Sequence, residues 1–347
     1  MTGKKDAASM PAAARKDSHL DLARLVQSQS QQSTGLDSIR LPHDALPEGC
    51  PDTVRLGCRF LNHSLTAPLM IGAMTGGTKR ADAINRALAE TAMECGIAMG
   101  VGSQRASLEA GRSQRELRRI APDVPLIGNL GAAQIAAQSG LDLARRAVDD
   151  LEADGLAIHL NILQEIVQPE GEDNWQGVAE AIAKAAETLP CPVIIKEVGN
   201  GISGRVAERL WGLGIRHVDV AGLGGTNWTR IEAKRRDSAD AAVFDPFLDW
   251  GIPTADCLRQ VSAMLPDMVL IGSGGIRHGL DAARALWLGA DVVAAAGVFL
   301  HAAENDQGQI SAKRVIATVD SWKKQLRLAV FLTGADSLPA FRKLATG

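Results

Sequence analysis

The chain has 347 residues, 46% of them hydrophobic, and a formal net charge of −3. That length suits a single α/β barrel with extensions, and the apolar fraction is enough for a large core. Mixed charge, 3% aromatics and no Tyr leave neither a basic face nor a stacking platform, so nucleic acid is not an expected partner.

Residues 1–14 are rich in Ala, Lys and Ser and are expected to be disordered. From Arg15 to about Val26 the text reads as a short helix, and the polar run 27–36 as a connection. Residues 39–66 carry Pro, Gly and short apolar runs, which suits a hairpin. Residues 15–66 therefore form an amino-terminal arm and lead-in segment. A rhythm then begins and continues to the end of the chain. The predicted strands are Leu69–Met74, Ile97–Val101, Leu126–Leu130, Leu156–Leu160, Val193–Val198, Val218–Leu223, Val269–Ser273 and Val292–Val298. Helical stretches such as Leu141–Glu152, Val178–Thr188, Ala255–Met264 and Leu280–Leu288 follow them. Eight strands, each followed by a crossover, predict a (β/α)8 TIM barrel over 67–347 with carboxy-terminal helices. A doubly wound sheet is the competing architecture, but it needs a dominant Gly-rich first turn that is missing here.

The five cysteines are odd in number and widely spaced, with no CxxC. They read as reduced thiols in a cytoplasmic protein. No signal-type apolar core opens the sequence and no run reaches membrane-spanning length, so no membrane association is expected.

Polar and glycine-rich text recurs at the end of every predicted strand. In a barrel these ends converge on one rim, where active sites lie. Gly272-Ser273-Gly274-Gly275 and Ala296-Gly297 end strands seven and eight, the usual phosphate positions of the fold. Lys196 ends strand five inside an apolar run and needs a polar or anionic partner. A flavin ring carbonyl, a substrate, a Schiff base or a structural ion pair with Glu197 or another carboxylate would each satisfy it. His159, Asn161, Gln164 and Glu165 follow strand four. His and Asn can donate to an anion, and Glu165 can share Mg²⁺ with phosphate oxygens. Gly222 to Trp228 follows strand six, allowing close backbone approach and an aromatic cover. Glu232 and Arg235 lie i, i+3 apart, as a surface or helix-side ion pair would. Arg15-Lys16 reads either as a solvated face or as two cations closing on a diphosphate.

RKDSH, AMTGGT, GSQR, GNLGA, HLNILQEIVQPEG, KEVGNGIS, VAGLGGTNW and GSGGIRHGLDAARALWLGAD together resemble type 2 isopentenyl diphosphate isomerases, in order, from about residue 15 to 300. The most specific element is HxNxxQE with QPEG. The resemblance implies an FMN enzyme that interconverts isopentenyl and dimethylallyl diphosphates. It implies FMN contacts from Ala73, Met74, Thr75, Ser103, Asn129, Lys196, Thr226, Gly274, Gly275, Ala296 and Gly297. It implies a substrate diphosphate met by Arg15, Lys16, Ser103, Arg105, His159 and Asn161, with Mg²⁺ on Glu165 and Gln164 beside the reacting carbons. Reduced FMN would act as acid and base, NADPH would reduce it, and the protein would be a homo-oligomer, tetramer or octamer. Two departures stand out: Ala221 where many members carry Ser, and Glu172 after QPEG where Asp is common.

The sequence shows no pair of carboxylates beside the diphosphate cluster to serve as acid and base, which fits proton exchange on the flavin. The alternative is an FMN-dependent oxidoreductase of the α-hydroxy acid oxidase type, with His278 after Arg277 as its base. An inosine monophosphate dehydrogenase type would need a loop Cys, and residues 222–226 have none. A non-catalytic binding barrel would have a blander rim.

Overall fold

The computed structural model describes residues 12–74, 76–236 and 238–346. A short antiparallel hairpin, β1 (Cys58–Phe60) and β2 (His63–Leu65), precedes the barrel. The barrel strands are β3 (Leu69–Ile71), β4 (Ala98–Gly100), β5 (Leu126–Gly131), β6 (Gly155–Leu160), β7 (Val193–Glu197), β8 (His217–Asp219), β9 (Val269–Gly272) and β10 (Val292–Ala295). All neighbours pair in parallel, and β10 returns to β3 to close the ring. The expected (β/α)8 barrel is therefore the observed fold. The helices Lys79–Cys95, Gly140–Leu151, Val178–Thr188, Gly204–Gly212, Thr254–Met264 and Gly279–Trp287 lie between strands, and Ala312–Phe331 and Leu338–Thr346 follow the last one.

Strand alternation divides the apolar residues into two layers. Met70, Ala98, Ile127, Ala157, Ile194, Ile271, Val292 and Ala294 fill the interior together with Phe60 and Leu65 from the hairpin. The hairpin thus plugs the amino-terminal end. Leu69, Ile71, Leu126, Leu156, Val193, Ile195, Leu270 and Val293 face outward into the helical layer. The same alternation builds the site. One pleat above the apolar layer, two residues on along each strand, Ile127 leads to Asn129, Ala157 to His159, Ile194 to Lys196 and Ile271 to Ser273. An apolar floor therefore carries a polar storey at the carboxyl rim.

Six of the eight strands are shorter than their predicted runs, β3, β8 and β10 by three residues each. β8 stops at Asp219 because the chain turns at Ala221, whose φ is +37°. β10 stops at Ala295, and the following text starts the helix Gly297–Ala303. β4 spans only Ala98–Gly100. Of the tryptophans with no sequence assignment, Trp287 packs on Phe341 at 5.2 Å and Trp211 lies under the Arg216 guanidinium, whereas Trp250 is 65% exposed.

The amino-terminal helix runs from Ala12 to Ala23, three residues earlier than the sequence suggests, and lies across the carboxyl rim. Leu20 is buried. Thr78 Oγ1 donates to Asp17 at 2.7 Å, and Arg80 reaches Asp21 at 2.7 Å. Glu304, 3% exposed, takes a two-pronged contact from Arg80 and a 3.0 Å bond from Arg24. Such paired, buried charge holds geometry well.

Candidate active site

A cavity of about 560 Å³ opens at the carboxyl ends of the strands and is walled on one side by His19, Leu20 and Ala23 of the amino-terminal helix and by Arg24 just after it. That volume is within the range of small-molecule and cofactor sites, about 300–1,000 Å³. Of the residues singled out in the sequence, Ala73, Met74, Ser103, Asn129, His159, Gln164, Lys196, Thr226, Gly274, Gly275, Ala296 and Gly297 line it. Arg105, Asn161 and Glu165 are not on its wall. Arg105 faces Glu109 at 3.9 Å, one turn along its helix. Thr75 lies outside the described residues, as do the side chains of Arg15 and Lys16.

One end of the cavity is built from bare backbone. Gly274 and Gly275 have φ of +99° and +69°, conformations that L side chains rarely adopt. A β-carbon on Gly275 would run into the Gly224 carbonyl, and one on Gly274 into Gly222. Thr254, fully buried, donates its hydroxyl to the Gly274 carbonyl at 2.7 Å and fixes the loop. The helix Gly297–Ala303 begins at the same end. A loop that admits only glycine, beside a helix start, presents N–H groups suited to a phosphate. The residues present therefore fit the phosphate of a flavin mononucleotide. Ala221 lines this part without a hydroxyl to offer.

The middle of the floor is charged. Lys196 Nζ lies 3.4 Å from Asp219 Oδ2 and donates to the Glu197 carbonyl at 2.9 Å. Its ion pair is thus with Asp219, a residue the sequence reading missed, and not with the Glu197 carboxylate. Asp219 also accepts the Ser273 hydroxyl. The Glu197 carboxylate turns away and accepts the N–H groups of Val198, Gly199, Asn200 and Gly201, which ties down the next loop. Burial pushes that carboxyl up to about 7, against the four N–H bonds that favour its charged form.

The far end is a hydrogen-bonded chain. Asn129 Oδ1 lies 2.8 Å from His159 Nδ1. Asn161 Nδ2 donates to Glu165 at 2.8 Å and to Gln164 Oε1 at 3.3 Å, while its own Oδ1 is buried without a partner. Gln164 Nε2 donates to Glu232 at 3.1 Å. Glu232 is fully buried, bonded by Arg235 at 2.6 Å and within 3.1 Å of His19 Nε2. The surface or helix-side ion pair expected for Glu232 and Arg235 is therefore a buried one beside the site. Burial opposes its charge, but His19, Arg235 and Gln164 outweigh that and hold the carboxyl below its usual range. Trp228 stands edge-on to His19 at 5.6 Å.

Glu165 has both oxygens engaged, by Asn161 and by the Glu172 N–H at 2.9 Å. Among the described residues no group of three His, Cys, Asp or Glu is gathered for a metal. A divalent ion at Glu165 would need phosphate oxygens and water to complete its shell, as Mg²⁺ commonly does. His278, the base of the oxidase alternative, instead accepts the Asp281 N–H as a helix cap and is not on the cavity wall.

A closed parallel barrel with a glycine cradle and an ion-paired lysine at its carboxyl rim defines the FMN-type barrel class. A family model described as FMN-dependent dehydrogenase matches residues 132–345. Solved structures agree on the fold: a mandelate oxidase variant with an FMN adduct aligns at TM-score 0.67 and 18% identity, over 93% of this chain and 90% of that one. A flavocytochrome b2 variant with pyruvate bound aligns at 0.69 and 14%, over 94% and 80%. The isopentenyl-diphosphate delta-isomerase of Xanthobacter autotrophicus is 48% identical over 334 residues, 95% of this chain and 96% of that protein. That of Cronobacter sakazakii is 47% identical, over 95% of each. The chain belongs to the isopentenyl-diphosphate delta-isomerase family within that barrel class.

Proposed function

We propose that the protein interconverts isopentenyl and dimethylallyl diphosphates in isoprenoid synthesis by a 1,3-allylic proton shift. The observation that carries this reading is a single cavity with two unlike ends, the glycine cradle and the Gln164–Glu232–His19 chain. Family membership supports it independently. Ala73, Met74, Thr75, Ser103, Asn129, Lys196, Thr226, Gly274, Gly275, Ala296 and Gly297 hold FMN. Arg15, Lys16, Ser103, Arg105, His159 and Asn161 bind the substrate diphosphate, with Mg²⁺ shared between it and Glu165. Reduced FMN, when bound, supplies the acid and base for the allylic shift, and NADPH is the reductant.

The chain's own part is positioning and drying. An unactivated alkene is a poor base and its cation reacts with water, so the site must exclude solvent. Leu20 and Trp228 supply apolar cover. Gln164 is held at both ends of its amide, by Asn161 and Glu232. An amide is a weak acid and base, so Gln164 orients the reacting carbons or relays a proton and does not act as sole proton donor. The protein works in the cytoplasm as a homo-oligomer. No helix among the described residues is long and apolar enough to cross a membrane.

The test is an absorption spectrum of the purified protein, then an anaerobic isomerase assay with reduced FMN and Mg²⁺. A yellow protein is expected, with isomerisation that consumes no NADPH per turnover and falls sharply in Glu165→Ala. Undiminished isomerisation with oxidised flavin, or after chelation, overturns the mechanism.

A further inference from the structure

The register of the barrel places three polar residues side by side across three adjacent strands. Lys196 on β7 is the direct partner of Asp219 on β8, and Ser273 follows the end of β9. All three line the cavity. Asp219 is 2% exposed, too deep for solvent to balance its charge. Lys196 provides that balance at 3.4 Å, and the Ser273 hydroxyl bonds the other oxygen, so the carboxylate is fixed from both sides. An ammonium has three donors. One goes to the Glu197 carbonyl and one faces Asp219, which leaves a third for what the cavity holds.

We propose that Asp219 is a positioning residue that fixes the Lys196 ammonium and offsets its charge, and so sets how strongly the site favours reduced over oxidised FMN. This rests on the FMN reading above. Two-electron reduction of FMN adds negative charge, and a cation in the same cavity favours the reduced form. An Asp219 carboxylate beside that cation cancels much of its field. At 3.4 Å and with so little solvent to screen it, the offset is large enough to measure. Ser273 extends the same device to the glycine cradle, since it is followed directly by Gly274-Gly275.

The test is the flavin midpoint potential of purified holoprotein, titrated anaerobically, for wild type, Asp219→Asn, Lys196→Met and the double variant. Asp219→Asn keeps the shape and removes the charge. It is expected to raise the ratio of reduced to oxidised FMN affinity about tenfold, about 30 mV more positive for a two-electron couple. The shift should shrink in the Lys196→Met background, where only the carboxylate's own field remains and no ammonium is left to fix, which a merely structural role for Asp219 would not produce. Ser273→Ala keeps every charge and loosens the carboxylate, so a smaller shift of the same sign is expected. It provides the reading if Asp219→Asn does not retain flavin. A loaded Asp219→Asn protein with the wild-type potential overturns the proposal. So does a shift undiminished without Lys196, or an unshifted Ser273→Ala when Asp219→Asn cannot be loaded. A wild-type protein that binds no FMN refutes the functional reading instead.

Discussion

Glu232 shows how much one carboxylate can organise. It sits fully buried between Arg235, three residues on in the turn that follows the helix Trp228–Ala233, a histidine from the amino-terminal helix and the amide that faces the cavity. Removing its charge while keeping its shape leaves Arg235 and His19 facing a neutral amide and frees Gln164 to turn. Loss of a single positioned group in such a site commonly costs about 10²–10³ in rate. Glu232→Gln is therefore expected to lower kcat about 10²-fold with a small change in KM, read in the anaerobic isomerase assay. A kcat within twofold of wild type would show that Gln164 needs no such anchor. Gly275 makes the complementary point about backbone. At φ +69° with the Gly224 carbonyl against it, it has no room for a β-carbon. Gly275→Ala carries a backbone strain of about 1–3 kcal/mol. It is expected to weaken FMN retention about tenfold or more, seen as loss of yellow colour on gel filtration at unchanged secondary structure.

At the scale of elements, local text and long-range register contribute differently. The helix Val178–Thr188 has the bounds its periodicity predicts, and the barrel strands fall inside their predicted runs except β5, β6 and β8, which each reach one residue beyond. Asn129, His159 and Lys196 were legible because each is a polar residue interrupting an apolar run at an inward position. Asp219 interrupts a run in the same way, in His217-Val-Asp-Val-Ala, and the two-residue step along the strand would have found it. Glu232 was not legible, because its neighbours His19 and Gln164 are far off in sequence and only the docked amino-terminal helix brings them together. Asp154 is a further long-range joint. Its carboxylate accepts the Leu126 N–H at 2.8 Å, Arg118 at 2.6 Å and His63 Nε2 at 2.9 Å, linking β5, a helix and the hairpin. Burial alone would raise its pKa, but these partners overcome burial and lower it. A carboxyl with a depressed folded pKa stabilises fully above its unfolded value, about 3.9, and that contribution fades as pH falls through the folded value. The melting-temperature gap between wild type and Asp154→Asn should then be widest above about pH 5 and close as acid is added below about pH 4. A gap that widens toward acid would contradict the assignment.

For the whole molecule, the first and last units of the barrel meet at its seam, where β10 pairs with β3. Glu304 follows the last strand, Arg80 belongs to the first barrel helix, and Arg24 lies just beyond the helix that walls the cavity. One buried carboxylate thus ties ring closure to the cover of the site, and cavity occupancy and global stability should move together. A ligand that binds only the folded state stabilises it by RT ln(1 + [L]/Kd), about 2.7 kcal/mol at a hundredfold excess over Kd. With an unfolding entropy of about 2.1 cal/mol/K per residue, a chain of this length should melt about 3–4 °C higher. Apoprotein titrated with FMN is therefore expected to show one calorimetric transition that rises by that amount. If the amino-terminal helix were only loosely attached, FMN would leave its melting unchanged and a separate early transition would appear in apoprotein and holoprotein alike. A single transition that moves with FMN, and that becomes two in Glu304→Gln, is the outcome that the shared carboxylate requires.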